Sequence, residues 1–355
     1  MVMGRSMRII TQLPNGDLRK AQEMGKLAER CGFDSGVCLE NAHNPYIPLA
    51  ATALETSEIQ LGTAVAMAFP RAPTITAHAA WDVHAASGGR FYLGLGAQVK
   101  SHNVRRYGLE WTPPAPRIRD YVGALRAIWT CWEKGVPLDY QSETYTLNLM
   151  TPNFSPEPNG LPPIPISLAT VGPAMLGVAG ECCDGVRLHP FSTRKYLQNV
   201  SIKNIEKGLE RGGRDRKHLE VVAGGFIATG RNEEAVAKMK EYVRFRIAFY
   251  CSTKAYWDVL REHDLLELGE KLNPFPRENR WDEMAAQIPE DLIDLFAVVA
   301  DYNELPAKLE ERYGGLADTV SFQFADDDDP DELKDLTDRI HAIPCQFESY
   351  APTWN

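Results

Sequence analysis

The sequence predicts an α/β fold, a (β/α)8 TIM barrel with two insertions, because strand-like and helix-like segments alternate along almost the whole chain. Strictly alternating units build a parallel sheet, and eight strand-like segments favour a closed barrel over an open, doubly wound sheet. A barrel enzyme has its active site at the C-terminal ends of the strands. No Gly/Ser-rich linker divides the 355 residues, so we expect one domain over residues 1–355.

The first half of the chain has clear element boundaries. Residues 7–10 form the first predicted strand, and the helix after it begins behind Asp17, a good N-cap residue, and ends at Gly32. Further strands are predicted at 35–39, 59–65 and 90–95, separated by helices at 48–56 and 73–86. The next helix is long, and its apolar side chains share one face: Ile118, Tyr121, Val122, Leu125, Ile128, Trp129 and Trp132.

Two insertions interrupt the second half. Residues 136–163 are proline-rich with short β-like pieces, and residues 252–300 are helical and rich in Trp, Phe and Leu. They account for the length beyond the roughly 250 residues of a simple barrel. We expect the second insertion to cover the active-site cavity and to select an apolar substrate. The remaining strands are predicted at 164–168, 185–188, 219–228 and 319–324, and the remaining helices from 173 and at 193–209, 233–249, 302–313 and 330–341.

The charge and the apolar pattern exclude several classes of partner. Asp and Glu number 48 against 38 Lys and Arg, which gives a net charge of −10 and argues against a nucleic-acid partner. No run reaches the roughly 18 apolar residues of a membrane span. The N-terminus lacks the apolar core of a signal peptide. We therefore expect a cytoplasmic protein with no membrane partner, and its seven cysteines to be reduced thiols.

Motifs for nucleotides and metals are weak. Gly94-Leu95-Gly96 follows a strand, but Val99 stands where a dinucleotide-binding loop needs its third glycine. The glycines between 208 and 213 favour a helix C-cap over a phosphate loop. No histidine pair has zinc spacing, and the acidic run 326–329 favours negative charge at a helix N-terminus, so we expect no metal.

Candidate site residues follow the predicted strands. Glu40 and His43 follow the second strand, and the third ends in residues 64–67. The turn after the fifth strand, Thr170-Val171-Gly172-Pro173-Ala174, opens a helix whose backbone amides suit a phosphate. An ordinary helix start explains the same turn. After the fourth strand lies a local basic cluster that suits an anionic ligand or merely solvates a loop: Lys100, His102, Arg105 and Arg106.

Several longer stretches resemble the bacterial-luciferase-like oxidoreductases, which are flavin- or deazaflavin-dependent (β/α)8 barrels. The strongest are residues 40–45, 59–65 and 88–96, and residues 98–108 and 247–253 are similar to a subgroup that uses coenzyme F420. The resemblance implies a hydride transfer between coenzyme F420 and a small organic substrate, in a homodimer. FMN is the alternative cofactor. A flavin monooxygenase, a non-catalytic flavin-binding protein and a cofactor-free enzyme for sugar phosphates are the rival interpretations.

The resemblance also implies residue roles. A non-prolyl cis peptide is expected at Ala64-Val65, behind the cofactor ring. The cofactor-binding set is Ala64, Val65, Met67, Gly96, Ala97, Gln98, His102, Thr170, Val171, Gly172 and Ala174. Glu40 and His43 are implied to face the ring as candidate catalytic residues.

Two departures put the acid–base pair in doubt. Some deazaflavin dehydrogenases have a glutamate where this chain has Val99, and a histidine where it has Asn41. Their catalytic pair therefore cannot be transferred. His43 is the best candidate for proton transfer, because imidazole titrates near neutral pH. Packing against Pro45 or helix capping explains a histidine there equally well.

Overall fold

A computed structural model of the protein describes residues 6–351. The strands are β1 (Arg8–Gln12), β2 (Ser35–Cys38), β3 (Gln60–Thr63), β4 (Ala66–Met67), β5 (Phe91–Gly96), β6 (Tyr140–Gln141), β7 (Thr146–Leu147), β8 (Ile166–Thr170), β9 (Gly185–Leu188), β10 (Glu220–Val222), β11 (Phe226–Gly230), β12 (Ala297–Asp301) and β13 (Thr319–Ser321).

Helices occupy most of the intervening segments. They are α1 (Leu18–Arg30), α2 (Tyr46–Ala53), α3 (Pro73–Ala86), α4 (Lys100–Arg105), α5 (Pro114–Lys134), α6 (Pro173–Cys182), α7 (Arg194–Tyr196), α8 (Lys203–Gly212), α9 (Glu233–Cys251), α10 (Trp257–Arg261), α11 (Leu266–Leu272), α12 (Trp281–Ala285), α13 (Glu290–Phe296), α14 (Leu305–Tyr313) and α15 (Pro330–His341). A π-helical turn, Leu197–Ile202, joins α7 to α8.

Eight strands form a closed parallel sheet. Their order is β1-β2-β3-β5-β8-β9-β10-β13, and β13 neighbours β1. The pairing of β1 with β2 sets Ile10 opposite Ser35, and that of β5 with β8 sets Leu93 opposite Ile166. The predicted (β/α)8 barrel is confirmed, and each of its eight strands overlaps a predicted one.

The main departure from prediction lies in the seventh predicted strand. Residues 219–228 form two strands, β10 and β11, separated by Gly224 and Gly225, and Gly225 has a φ of 137° that favours glycine. Strand β11 pairs in parallel with β12 in a separate two-stranded sheet, with Phe226 opposite Ala297. The prediction of a wholly helical second insertion is therefore wrong for residues 297–301, Ala-Val-Val-Ala-Asp.

The first insertion contains short β-strands, and two helices begin at acidic residues, as predicted. The first insertion contains an antiparallel hairpin, β6-β7, and a 3-10 turn at Pro152–Phe154. Asp17 caps α1 by accepting from the amides of Arg19 and Lys20, as predicted. Asp329 caps α15, so one acidic residue of 326–329 has the predicted place at a helix N-terminus. No helix within residues 6–351 has the length and apolarity that a membrane span needs.

The described residues form two compact units. The N-terminal unit contains Ile10–Val186, Asn204–Glu220 and the described residues from Phe347 onward. The C-terminal unit contains the described residues up to Ile9, Arg187–Lys203 and Val221–Gln346. Each unit has large, fully buried side chains: Leu61, Phe91, Tyr121 and Trp129 in the N-terminal unit, and Phe191, Phe296 and Tyr313 in the C-terminal unit. That the chain is a single domain stays a prediction.

Candidate active site

The candidate site residues all belong to the N-terminal unit, at the C-terminal ends of its strands. Residues 39–45 follow β2, residues 64–65 separate β3 from β4, residues 97–99 follow β5, and residues 171–172 follow β8. Because parallel barrel strands end on the same side, these segments share the face where barrel enzymes have their chemistry.

The peptide bond between Ala64 and Val65 is cis, as the resemblance implies. The Ala64 amide still donates to the Cys38 carbonyl at 2.8 Å, so the chain leaves the β2 ladder only after this bond. It then pairs with β5, where Met67 lies opposite Gly96. Ala64 and Val65 stay half-buried, so a short stretch of main chain and small side chains borders the site.

Gly94 and Gly96 on β5 have a packing role. A Cβ on Gly94 would lie 1.9 Å from the Thr63 carbonyl oxygen, and one on Gly96 would lie 2.5 Å from a methyl carbon of Val65. The Thr63 hydroxyl also donates to the Gly94 carbonyl at 2.6 Å. The Gly-x-Gly sequence therefore exists because β5 and the end of β3 approach closely, which explains why a dinucleotide-loop interpretation fails.

Glu40 is held by three hydrogen bonds. Its two carboxylate oxygens accept from the Arg71 guanidinium at 2.7 Å each, and one of them also accepts from the Met67 amide at 2.7 Å. The side chains of Glu40 and Arg71 are only 13% and 18% exposed. The hydrogen bonds with Glu40 raise the pKa of Arg71. These contacts tie β4 and the segment after it to the loop that follows β2; a catalytic role for Glu40 stays a prediction.

Arg71 is a residue that the sequence analysis missed. Its guanidinium also donates to the Met67 carbonyl at 3.2 Å and lies 5.7 Å from the centre of the Tyr46 ring. The Arg71 carbonyl accepts from the Tyr121 hydroxyl at 3.2 Å. The available signal was an arginine directly after the apolar run 64–70, since a charge in such a position needs a partner.

The loop after β5 is fixed by a buried asparagine. Asn103 on α4 is 1% exposed and donates to the Ala97 carbonyl at 2.9 Å. Gln98 has a φ of 58°, and its side-chain amide reaches the Met67 sulfur at 3.5 Å. The Val99 amide donates to the Gln98 side-chain oxygen at 2.9 Å. Helix α4 and Asn103 were not predicted.

Two candidate histidines are exposed on this face. His43 lies beside the loop after β1, since a Cβ placed on Gly16 would be 3.1 Å from its Nε2 atom. His102 lies on α4, and Lys100, Arg105 and Arg106 are exposed around it. Arg106 donates to the Asn41 carbonyl at 3.0 Å, which ties the end of α4 to the loop that carries His43.

The turn from Thr170 to Ala174 offers unused polar groups. No side chain caps α6 at Gly172, and a Cβ on Gly172 would meet no atom within 4 Å. The Thr170 hydroxyl is buried and has no partner among residues 6–351. Uncapped amides at the positive end of a ten-residue helix, with open space beside them, can bind an anion.

Helix α6 packs closely against α8. A Cβ on Gly180 would lie 2.2 Å from the Ile205 carbonyl oxygen, and one on Gly208 would lie 2.2 Å from the Gly177 carbonyl oxygen. The two helices therefore approach through glycines. This contact sets the position of α6 and of the turn that begins it.

The sequence pattern of the luciferase-like monooxygenases matches residues 5–319. The chain belongs to this family. An uncharacterized protein of Mycobacterium tuberculosis is 38% identical over 316 residues, which cover 89% of this chain and 93% of that protein. The 5,10-methylenetetrahydromethanopterin reductase of Archaeoglobus fulgidus is 29% identical over 293 residues, covering 81% and 83%.

Solved structures show the same fold. The coenzyme F420-dependent tetrahydromethanopterin reductase of Methanopyrus kandleri has a TM-score of 0.76 and 21% identity, and the match covers 96% of this chain and 98% of that one. As a member of the luciferase-like family, the protein is an oxidoreductase. The resemblance drawn from the sequence is confirmed at the level of family and fold.

Arg246 on α9 belongs to the C-terminal unit. This arginine has no carboxylate partner among residues 6–351. It donates instead to the hydroxyl of Tyr250, one turn further along the helix. The carboxylates of Glu241 and Glu290 pair with Arg244, because its place on the helix directs it to them.

Proposed function

We propose that this luciferase-like oxidoreductase uses coenzyme F420 to transfer a hydride to or from a small organic substrate. The observation that carries the choice of cofactor is the row of exposed positive charges, Lys100, Arg105 and Arg106, on and just after α4, the helix that follows β5, in a chain of net charge −10. Such a row suits a cofactor with an extended anionic tail. The similarity to reductases, one of them named as F420-dependent, supports the same choice.

The residues present fit a ring cofactor with a phosphate. The half-buried segment Ala64-Val65, together with Gly96 and Ala97, offers a small-residue surface on which a flat ring can lie. Met67, Val171 and Ala174 complete the proposed binding set beside it. The bound deazaflavin would supply the hydride chemistry, and the protein supplies orientation and a shielded site.

The Thr170–Ala174 turn is the proposed phosphate site. It offers the uncapped amides of α6, the unpartnered Thr170 hydroxyl and the open space beside Gly172. A phosphate there would satisfy the helix N-terminus through backbone groups alone. We assign Gln98 and His102 to the ring edge and the tail.

His43 is the proposed residue for proton transfer. It is exposed, and no described residue between 6 and 351 forms a hydrogen bond or ion pair with its ring. Glu40, in contrast, has both oxygens engaged by Arg71 and the Met67 amide. The His43 ring is therefore open to contact with a substrate, whereas the bound carboxylate of Glu40 serves better as an anchor.

Cofactor titration tests the proposal directly. The apoprotein is titrated with F420 and with FMN, each oxidised and reduced, and binding is followed by fluorescence quenching. We expect tight binding of F420 and weak or no binding of FMN. Preference for reduced FMN would favour a monooxygenase that activates oxygen, and binding of neither would overturn both. Turnover with F420 then separates an enzyme from a mere binder.

Variants at Gly172 test the phosphate site. Gly172→Ala adds a methyl group to open space, so its F420 affinity should match the unaltered protein. Gly172→Gln adds bulk, and Gly172→Glu adds the same bulk with a negative charge beside the phosphate. We expect affinity to fall from Ala to Gln to Glu. Equal affinities for Gln and Glu would remove the phosphate from this turn.

The homodimer also stays a proposal. Light scattering coupled to size-exclusion chromatography measures the mass in solution, with the chain mass of 39.6 kDa as reference. A monomer mass at micromolar concentration would overturn it.

A further inference from the structure

The C-terminal unit contains an arginine surrounded by aromatic rings. The Arg246 guanidinium carbon lies 5.0 Å from the centre of the Tyr250 ring, 5.9 Å from that of Phe249 and 6.0 Å from that of Tyr242. His189 packs edge-on against Tyr250 at 4.5 Å. These residues and Tyr256, which stacks on His189 at 4.4 Å, are called the Arg246 cluster.

Arg246 differs from its neighbour Arg244 in its partners. Arg244 on the same helix pairs with two carboxylates, those of Glu241 and Glu290. Half-buried Arg246 has only the Tyr250 hydroxyl as a hydrogen-bond acceptor in the part of the chain that the structure describes. Arg246 is thus a partly buried cation with no carboxylate partner within residues 6–351. Most of its five N–H donors are available to a ligand.

His189 adds a second available donor. Its Nδ1 atom accepts from the Phe191 amide at 3.0 Å, so the proton of the neutral ring is on Nε2. Burial, with the charge of Arg246, lowers the pKa of His189 to about 3, which keeps the ring neutral near pH 7. Within residues 6–351 its Nε2–H group has no acceptor.

Tyr250 supplies a third donor. Because Arg246 donates to the Tyr250 oxygen, the hydroxyl hydrogen is free to point elsewhere. Burial raises the pKa of this hydroxyl, so it remains protonated. The cluster therefore presents a guanidinium, an imidazole N–H and a phenol O–H, all donors, between aromatic walls.

We propose that the Arg246 cluster binds the carboxylate of an organic acid with an aromatic or other apolar body. The guanidinium fork matches a carboxylate in two hydrogen bonds, and His189 and Tyr250 complete its coordination. The rings of Tyr256 and Phe249 take the apolar body. The proposal does not depend on which cofactor the N-terminal unit binds.

Calorimetric titration with benzoate, and with benzamide as the uncharged counterpart, tests this inference. Wild type should bind benzoate at least 10-fold more tightly than benzamide. Arg246→Met keeps the apolar stem and removes the charge, and we expect it to weaken benzoate at least 10-fold, in line with the loss of charge-assisted hydrogen bonds. Arg261→Met is the control, because that exposed arginine pairs with Asp258 outside the cluster.

Two further variants keep the test decisive if Arg246→Met fails to fold. Tyr250→Phe keeps the ring and should weaken benzoate binding several-fold. Arg246→Lys should bind benzoate with an affinity between those of wild type and Arg246→Met. Thermal melting checks that each variant is folded. Absence of benzoate binding to wild type, equal binding of benzamide, or unchanged affinity in the folded Arg246 and Tyr250 variants would each overturn the proposal.

Discussion

The ion pair between Glu40 and Arg71 can be tested by a double-mutant cycle. Glu40→Gln keeps the shape and one acceptor oxygen but removes the charge that the guanidinium faces. Arg71→Met keeps the apolar stem and leaves the carboxylate with the Met67 amide as its remaining partner. The double variant Glu40→Gln/Arg71→Met leaves neither charge behind. If the pair acts as one unit, the double variant should be less damaging than the sum of the single variants.

The magnitude follows from burial and from the number of hydrogen bonds. With 13% and 18% of the two side chains exposed, the pair is largely buried, and losing one partner of such a pair costs about 3–5 kcal/mol. Loss of the charge at Glu40 alone should cost about 1.5–3 kcal/mol, the range for a hydrogen bond to a charged group. We expect a coupling energy of about 2 kcal/mol or more.

Urea denaturation measures the free energy of unfolding of the four proteins, and the cycle gives the coupling. Arg119→Met is a matched control, because its pair with Glu181 is 45% and 22% exposed and should contribute about 0–1 kcal/mol. Additive effects of the two single variants would refute the anchoring role. So would a Glu40→Gln variant of unchanged stability and cofactor affinity but low kcat, which would make Glu40 a catalytic residue.

Three further predictions concern other parts of the chain. Burial and Arg246 hold the pKa of His189 near 3, whereas a histidine in an unfolded chain has a pKa of about 6.5. The contribution of neutral His189 to the free energy of unfolding is therefore complete above pH 6.5 and falls below it, by about 2 kcal/mol at pH 5. His189→Gln should remove that part of the pH dependence of the free energy of unfolding, measured by urea denaturation, and an unchanged pH dependence in this variant would contradict the assignment. Gly94→Ala should lower the free energy of unfolding by more than about 3 kcal/mol or prevent folding, whereas Gly172→Ala should change it by no more than about 1 kcal/mol. Similar melting temperatures of the two variants would refute the packing role of Gly94. The double variant Lys100→Glu/Arg105→Glu should weaken F420 binding strongly at low salt and only slightly at high salt. An equal loss of affinity at both salt concentrations would exclude an electrostatic role of these two residues.

The barrel was predictable because its pattern is local and repeated. Each βα unit carries its own apolar periodicity and turn residues, so the eight strands could be located without knowledge of their partners. The segments of the candidate site could then be located after the strands, since a parallel barrel brings the strand ends to one side. The family resemblance added the cis bond at Ala64-Val65, which no periodicity indicates.

What escaped prediction depends on partners far apart in sequence. Arg71 and Glu40 are 31 residues apart, and their pairing has no local signature. Strand β12 forms only because β11 lies beside it, so its apolar run could be taken for a helix. The carboxylate of Glu290 pairs with Arg244 and not with Arg246, a choice that depends on how α13 packs against α9.

The glycine contact between α6 and α8 has a consequence for synthesis. The Thr170–Ala174 turn and α6 are synthesised before residues 204–212. Until those residues arrive, Gly177 and Gly180 have no helix against which to close. A nascent chain that ends before residue 204 therefore holds every residue of the turn without the support that shapes it. The proposed anion site is complete in sequence about thirty residues before it can be complete in space.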